Sequence, residues 1–194
     1  DGGARLGCAW SQNYGSGAWG DAFAYWSTLD ASPAAGGRWQ SRALAFKGGD
    51  APNHVSFGGR QWSAFPTQNP AILPSGRLLV PVTLISNLQH KRASVLVSED
   101  EGATFAVSAG TFIPGDEIDQ WETTVWSPTG SNGSRVLMFD RMNDSRNVSA
   151  GGPVPDDRLQ SAESLDGGFT WSPLAPVRVQ TVVSRSLVTP LAPP

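Results

Sequence analysis

An eight-residue pattern occurs twice in the chain and constrains the fold more than any other feature. Residues 98–105 and 164–171 both read Ser-x-Asp-x-Gly-x-Thr-aromatic, and their aspartates, Asp100 and Asp166, lie 66 positions apart. A repeat at such a period predicts that one supersecondary unit recurs along the chain, and that each unit buries its surface against the next. The chain is therefore expected to be an array of similar units.

A third, looser copy precedes these two. Ser27, Asp30, Gly37 and Trp39 follow in a similar order, with a Pro/Ala/Gly insertion inside the turn, and Asp30 lies 70 positions before Asp100. The sequence thus predicts about three units.

Short apolar segments separated by turn residues flank the two clear copies. They cover residues 71–73, 78–85, 93–97 and the segment from Phe105 in the first case, and residues 123–126, 135–139 and 159–163 in the second. Four antiparallel strands per unit, at a period of about 40 to 70 residues, predict the blades of a β-propeller. An antiparallel sandwich, which also has short strands at regular spacing, is the alternative that remains open.

The expected blades are all antiparallel and four-stranded, and the chain would hold about three of six. Their approximate bounds are residues 1–55, 56–115 and 116–180, and the remainder starts a further blade. An isolated half-propeller would expose two blade faces, so the missing blades of the same polypeptide are expected partners.

The composition favours an all-β chain and excludes several function classes. Gly 22, Pro 15 and Trp 8, with 16% charged residues, indicate many strands joined by tight turns. A net charge of −3 argues against a nucleic-acid partner. A single cysteine, Cys8, excludes an internal disulfide, and two histidines, His54 and His90, give no zinc-ligand spacing. No metal or cofactor is expected.

The chain has no apolar run of about eighteen residues and no signal-peptide pattern at its start, so no membrane-spanning segment is predicted. It also lacks an initiator Met, and we expect a soluble segment of a longer or processed polypeptide. Asn-x-Ser triplets at Asn132, Asn143 and Asn147 slightly favour a secreted or extracellular protein, although a Ser/Asn/Gly-rich stretch produces such triplets by chance.

The repeated pattern has the chemistry of a hairpin turn whose polar groups satisfy one another. An Asp accepts hydrogen bonds from nearby backbone N–H groups, a Gly takes positive φ without steric cost, and a Thr adds a hydroxyl. A carboxylate engaged in this way stays ionised and is unsuited to acid catalysis. A structural role is therefore predicted for Ser98, Asp100, Gly102, Thr104 and Phe105, and for Ser164, Asp166, Gly168, Thr170 and Trp171.

These turns resemble the Asp boxes of BNR-repeat proteins, and the residues between them resemble sialidases (neuraminidases). Residues 69–82 are similar to the family's apolar strand, Gly turn and Leu-Val-Val-Pro strand. Residues 120–126, followed by a Gly turn and residues 136–141, are similar to its Asn-Glu-x-x-Val strand, whose hairpin partner ends in Arg. The resemblance covers roughly residues 62–171 and implies an exo-acting glycoside hydrolase of sialylated glycans or other acidic sugars.

Two side chains match functional residues of that family. Glu122 matches the Glu that draws a proton from the nucleophilic Tyr, and Arg141 matches one of three arginines that hold the substrate carboxylate. The alternative is that Glu122 is a solvated strand end and that Arg141 pairs with a surface carboxylate such as Asp140. Asp116, Glu117 and Asp119 are rivals for Glu122, but only Glu122 has the family's register.

The family's acid/base Asp, its remaining arginines and its nucleophilic Tyr have no match here. Tyr14 and Tyr25, the only tyrosines, precede the matched region, whereas the family's Tyr follows it. The segment alone is therefore expected to be inactive, and two other functions stay open. One is a non-catalytic propeller that binds glycans or proteins, and the other is an enzyme acting on another acidic polysaccharide.

Overall fold

The computed structural model describes residues 5–13, 22–30, 38–47, 54–57, 60–86, 90–109, 119–143 and 158–180. Within these ranges the chain forms thirteen β-strands and no helix, which confirms the all-β prediction. The strands make three sheets in which neighbouring strands are antiparallel. None of the described segments could cross a membrane as a helix.

The first sheet contains β1 (Arg5–Asn13), β2 (Ala22–Asp30) and β3 (Trp39–Ala43), in that order. The looser third copy of the pattern falls on the β2–β3 hairpin. Its Ser27 hydroxyl contacts two cross-strand neighbours, Trp10 Nε1 at 2.7 Å and Ser41 Oγ at 2.7 Å. Gly37 of this copy lies outside the described residues.

The second sheet lies between the other two and has six strands. They are β4 (His54–Phe57), β5 (Arg60–Pro66), β6 (Ala71–Ile72), β7 (Leu78–Ser86), β8 (His90–Ser98) and β9 (Ala106–Val107). The order is β4-β5-β7-β8-β9, and β6 pairs with β7 beside this path. All nine residues of β7 are buried, because this apolar strand is covered on both faces.

The sequence places the first strand of this unit at residues 71–73, but the strand that runs beside most of β7 is β5. The 71–73 segment pairs over two residues only, as β6. Pro70 and Pro74 flank it, and proline cannot donate a hydrogen bond to a neighbouring strand. On β5, by contrast, Trp62 and Ala64 are buried in the core.

The third sheet has four strands in sequential order. They are β10 (Asp119–Trp126), β11 (Val136–Asn143), β12 (Arg158–Ser164) and β13 (Ala175–Gln180). Successive side chains of a strand point to opposite faces. On β11, Val136 and Met138 face a core shared with the second sheet.

Alternating side chains of β7 join two separate cores. Leu78, Val80, Val82 and Leu84 pack in a cluster with Trp26 and other residues of the first sheet. Leu79, on the opposite face, packs in a second cluster with residues of the third sheet. Full burial of each such side chain contributes about 1.5–3 kcal/mol, so the middle sheet fixes the positions of both neighbours.

Two parallel bridges connect successive sheets at the ends of the repeated turns, one residue apart in the repeated pattern. Phe105, at the end of the first repeated turn, bridges to Phe46, and Thr170, near the end of the second, bridges to Ala109. The Phe105 amide donates to the Ala45 carbonyl at 2.8 Å, and the Trp171 amide donates to the Ala109 carbonyl at 3.1 Å. Each repeated turn is therefore attached to the chain segment that leaves the preceding sheet.

Candidate functional site

The two repeated turns, residues 98–105 (the first Asp turn) and 164–171 (the second Asp turn), have the same hydrogen bonds at their Ser, Asp, Gly and Thr positions. In the first, Ser98 Oγ donates to Asp100 Oδ1 at 2.8 Å, and the Gly102 amide donates to Ser98 Oγ at 2.8 Å. Thr104 donates to Asp100 twice, from its amide at 2.9 Å and its hydroxyl at 2.6 Å. The carboxylate thus organises the whole turn.

The second Asp turn repeats these contacts with almost the same distances. Ser164 Oγ donates to Asp166 Oδ1 at 2.8 Å, the Gly168 amide donates to Ser164 Oγ at 2.8 Å, and the Thr170 hydroxyl donates to Asp166 Oδ2 at 2.6 Å. The Thr170 amide adds a bond of 3.0 Å to Asp166 Oδ1. The Phe169 amide also donates to Asp166 Oδ1 at 3.0 Å, and the four donors around this carboxylate favour its ionised form.

Both carboxylates have a low pKa for this reason. Partial burial by itself would raise the pKa of Asp100, but the hydroxyl and amide of Thr104 and the hydroxyl of Ser98 lower it to about 2. The same balance, with Thr170, Ser164 and the Phe169 amide as donors, lowers the pKa of Asp166 to about 2. Neither group would carry a proton near neutral pH.

The closing aromatic of each Asp turn lies in a core. Phe105 is fully buried and meets the Trp26 ring edge-to-face, with 6.2 Å between the ring centroids. Trp171 is buried in the core between the second and third sheets, and its Nε1 donates to the Gly168 carbonyl at 3.1 Å. The aromatic positions therefore link the turns to the inter-sheet packing.

Glu122 and Arg141, on neighbouring strands of the third sheet, lie side by side. Arg141 Nε is 3.1 Å from Glu122 Oε2, and the side chains are 8% and 22% exposed, respectively. The two atoms are buried and close enough for an ion pair, yet they do not meet the geometry of a hydrogen bond. The contact is therefore mainly electrostatic, and their mostly buried location strengthens it.

A β-bulge in β10 places Glu122 in this position. Trp121 pairs with Arg141 and Thr124 pairs with Phe139, so that Glu122 and Thr123 together face one residue of β11. The φ of Glu122 is +56°, which is unusual for a residue with a side chain. Such a conformation costs on the order of 1–3 kcal/mol, and bulges of this kind re-aim side chains next to functional sites.

Asp140 is not the surface carboxylate that the sequence suggests as an alternative partner of Arg141. It is 0% exposed, because it continues the face of β11 that carries Val136 and Met138 into the core. Its Oδ1 lies 3.2 Å from Thr123 Oγ1. Burial raises the pKa of Asp140 well above its usual value; the Thr123 hydrogen bond and the Arg141 charge lower it only in part, and Glu122 raises it further.

Thr123 connects this region to the second sheet. Its hydroxyl oxygen lies 3.2 Å from the Val82 carbonyl oxygen, and its own carbonyl accepts a bond of 2.6 Å from Thr67 Oγ1. Thr67 also binds the Pro81 carbonyl through its amide at 3.1 Å. Two buried hydroxyl groups, that of Thr67 and that of Thr123 itself, thus hold Thr123 in place beside Glu122.

The structure describes only one of the three acidic residues that rival Glu122 as the match to the family's Glu. Asp116 and Glu117 lie outside the described residues, and Asp119 begins β10 opposite Asn143. Tyr14 is also outside, while Tyr25 stacks on Trp10 in the first sheet, with 4.4 Å between the ring centroids. Among the described residues, no three His, Cys, Asp or Glu side chains are grouped so that they could hold a metal ion.

The arrangement can bind an anion beside a base. A guanidinium binds a carboxylate through two parallel hydrogen bonds, and a neighbouring carboxylate can accept a proton from a third group. The contributions of Asp140 and Thr123 were not predicted from the sequence. The alternation of Val136, Met138 and Asp140 on one face of β11 was the available signal, since it continues an apolar face with a carboxyl group.

Comparisons with known proteins support the fold. No protein-family model and no curated protein matches the chain. Among solved structures, a protein of unknown function from Dyadobacter fermentans superposes with a TM-score of 0.60 at 18% identity, over 92% of this chain and 49% of that protein. Trypanosoma rangeli sialidase in complex with the inhibitor DANA gives a TM-score of 0.57 at 18% identity, over 86% of this chain and 26% of the sialidase.

The NanB sialidase of Streptococcus pneumoniae, as its K499G mutant, is also similar. Its TM-score is 0.55 at 18% identity, over 82% of this chain and 20% of the sialidase. This chain thus spans about half of the first protein and 26% and 20% of the two sialidases, respectively. At this identity the likeness shows a sialidase-like fold and does not extend to activity.

Proposed function

We propose that this chain is part of a β-propeller glycoside hydrolase that releases terminal sialic acid, or a related nonulosonic acid, from glycoconjugates. The contact between Glu122 and Arg141 is the observation that carries this proposal. The three sheets are then successive blades, with approximate bounds at residues 1–55, 56–115 and 116–180, out of about six. The bridges at Phe105 and Thr170 support this arrangement, because each attaches a sheet to its predecessor near the end of a repeated turn.

Arg141 is the ligand of the substrate carboxylate. Its Nε faces Glu122, and among the described residues no acceptor contacts its two terminal nitrogens. A planar guanidinium held at Nε presents those nitrogens as a fork that matches both oxygens of a carboxylate. Lysine could not reproduce this geometry, since its ammonium is a single point charge.

Glu122 is the base that activates the nucleophile. A phenol suits an anionic substrate because it is neutral, but its pKa of about 10 means that it needs a base. The tyrosine, an acid/base Asp and the other arginines belong to further blades of the same polypeptide. The segment alone is therefore inactive.

Hydrolysis of a fluorogenic sialoside by the full-length protein tests this proposal. Glu122→Gln keeps the side-chain shape and removes the base, so kcat falls on the order of 10²–10⁴-fold. Arg141→Lys mainly raises KM. Arg135 and Glu163 are the matched control, because they form an exposed ion pair in the same sheet, and Arg135→Lys or Glu163→Gln leaves both constants unchanged. If the wild type releases no more product than Glu122→Gln, the assignment is wrong.

A non-catalytic propeller that binds glycans is the second candidate. Trp39 on β3 favours it, because 52% of this residue is exposed and a flat apolar ring can stack on a sugar. Strong binding on a glycan array without turnover, and with loss of binding in Trp39→Ala, would select this function.

A further inference from the structure

The hydrogen atoms around Thr123 constrain the protonation state of Asp140. A threonine hydroxyl has one hydrogen to donate. The Thr123 oxygen lies 3.2 Å from Asp140 Oδ1 and 3.2 Å from the Val82 carbonyl oxygen. If Asp140 were ionised, both neighbours would be acceptors, and they would have to share the one hydroxyl hydrogen.

A proton on Asp140 removes this conflict. The carboxylic acid then donates to Thr123 Oγ1, and Thr123 donates its own hydrogen to the Val82 carbonyl. This chain of hydrogen bonds connects β11 to β10 and to β7. Burial favours the same state, because desolvation raises the pKa of Asp140.

The surroundings of Asp140 contain little that would stabilise a negative charge. Its second oxygen, Oδ2, is buried and has no hydrogen-bond partner among the described residues. Gln160, directly opposite on β12, is uncharged, and the facing group on β7 is the Val82 carbonyl. Two charged residues act on Asp140: Arg141 favours ionisation, whereas Glu122 opposes it.

We propose that Asp140 is a positioning residue: as a neutral carboxylic acid it donates to Thr123 and so fixes the bulge that presents Glu122 beside Arg141. The catalytic part of this inference rests on the proposed function, whereas the structural part does not. Asp140 itself lies in the core and does not touch the substrate. Its effect passes through Thr123, the residue after Glu122, which occupies the bulge with it.

The pH dependence of thermal unfolding tests the neutral state of Asp140. When the pKa of a carboxyl group is higher in the folded protein than in the unfolded chain, the free energy of unfolding falls as the pH rises above the unfolded pKa of about 4. Asp140→Asn has the same shape, keeps an N–H donor for Thr123 and cannot ionise. The Tm of the Asn variant should therefore exceed that of the wild type by a margin that grows from pH 4 to pH 7. A constant or shrinking margin would overturn the proposal.

Amide hydrogen exchange tests the positioning of Glu122 without any assay of activity. Asp140→Val fills the same space but cannot donate, so Thr123 loses its partner on β11. Exchange at Glu122, Thr123 and Thr124 should be faster in the Val variant than in the Asn variant. Equal exchange in the two variants would show that the donor does not hold the bulge.

Sialoside hydrolysis by the full-length protein completes the test. The Val variant should lose kcat by up to about 10²-fold with a smaller change in KM, and the Asn variant should recover most of that loss. Equal kcat in the Val and Asn variants would exclude a positioning role. A wild type that is inactive, while the Tm and exchange results hold, would refute the proposed function and leave the neutral Asp140 established.

Discussion

The first and second Asp turns share the hydrogen bonds of their Ser, Gly and Thr residues but have different residues at one position of positive φ. Residue Glu101 of the first turn has a φ of +55°, and Gly167 holds the equivalent place in the second with a φ of +72°. Glycine adopts this conformation freely, whereas a residue with a Cβ is strained there. The same turn is therefore built once with strain and once without it.

The surroundings explain why the second turn needs glycine. A Cβ on Gly167 would lie 2.3 Å from Arg77 Nη1 and 3.0 Å from the Gly133 carbonyl oxygen. Arg77 donates to the carbonyls of Asp166 and Gly167 at 2.7 and 3.0 Å, and its guanidinium lies 4.3 Å from the centre of the Phe169 ring. Arg77 and the Gly133 carbonyl therefore crowd this position of the second turn, whereas the first turn accommodates Glu101.

The next glycine is required in both turns. A Cβ on Gly102 would lie 2.4 Å from Trp26 Nε1, and one on Gly168 would lie 2.8 Å from Leu79 Cδ2. Both glycines also have positive φ, 80° and 97° respectively. The glycine that both turns share is thus required by the packing of each turn on the preceding sheet. The residue at the position that differs, Glu101 or Gly167, depends on the local contact with Arg77.

Substitution of the shared glycine should have the largest effect. Gly102→Ala and Gly168→Ala each add a strained φ and an overpacked contact, and each should destabilise the protein by about 2–4 kcal/mol. Urea unfolding measures this. A cost below that of an exposed Gly76→Ala control, where a Cβ would meet open space, would contradict the packing argument.

Removal of the turn carboxylates should have the next largest effect. Asp100→Asn and Asp166→Asn each weaken several hydrogen bonds, with an expected loss of about 1–3 kcal/mol at pH 7. Because the folded pKa of about 2 lies below the ordinary 3.8, this stabilisation is present above pH 4 and is lost as pH falls toward 2. The difference in Tm between each variant and the wild type should therefore shrink over that range. A difference that stays constant would mean that the charge is not involved.

A double-mutant cycle at Arg77 should distinguish the two turns. Gly167→Ala should cost about 2 kcal/mol in the wild type and less in an Arg77→Ala background, because the nearest clash is then absent. Gly130→Ala serves as the control, because Gly130 also has a positive φ but an added Cβ would meet open space, and its effect should be the same in both backgrounds. Additive effects of Gly167→Ala and Arg77→Ala would refute the explanation of the difference.

Glu101→Gly should have the smallest effect, and of opposite sign. Relief of the positive φ should stabilise the protein by about 0.5–1 kcal/mol, reduced by the greater entropy of the unfolded chain. Denaturant unfolding measures the gain, with Glu101→Ala as the control, because it removes the same side chain but keeps a Cβ at the positive φ. A Gly variant that is no more stable than the Ala variant would show that Glu101 is not strained.

The same contrast explains how much of the molecule the sequence could predict. The Asp turns are local, so eight residues specify their hydrogen bonds, and the apolar run of β7 identifies a buried strand without further information. The sequence did not identify β5 as the main neighbour of β7, because both 60–66 and 71–73 contain apolar residues. The pairing with β7 and the prolines that flank 71–73 distinguish the two segments. Which glycine is crowded likewise depends on residues such as Trp26 and Arg77 from another sheet.

The candidate site shows the same limit. The strand pattern of residues 120–126 and 136–141 predicts Glu122 and Arg141 on adjacent strands, and the structure brings them into contact. The bulge at Glu122 and the burial of Asp140 arise from the packing of the third sheet on the second, which no local pattern encodes. Site residues on consecutive strands are thus predictable, while the groups that orient them require the assembled sheets.

A crystal structure of the full-length protein with sialic acid would show whether Arg141 and Glu122 belong to the substrate site. Both carboxylate oxygens of the sugar should lie within hydrogen-bond distance of the terminal nitrogens of Arg141, with Glu122 in the same cavity. A sugar bound elsewhere, with the Arg141 and Glu122 side chains directed away from a common cavity, would contradict the proposed function.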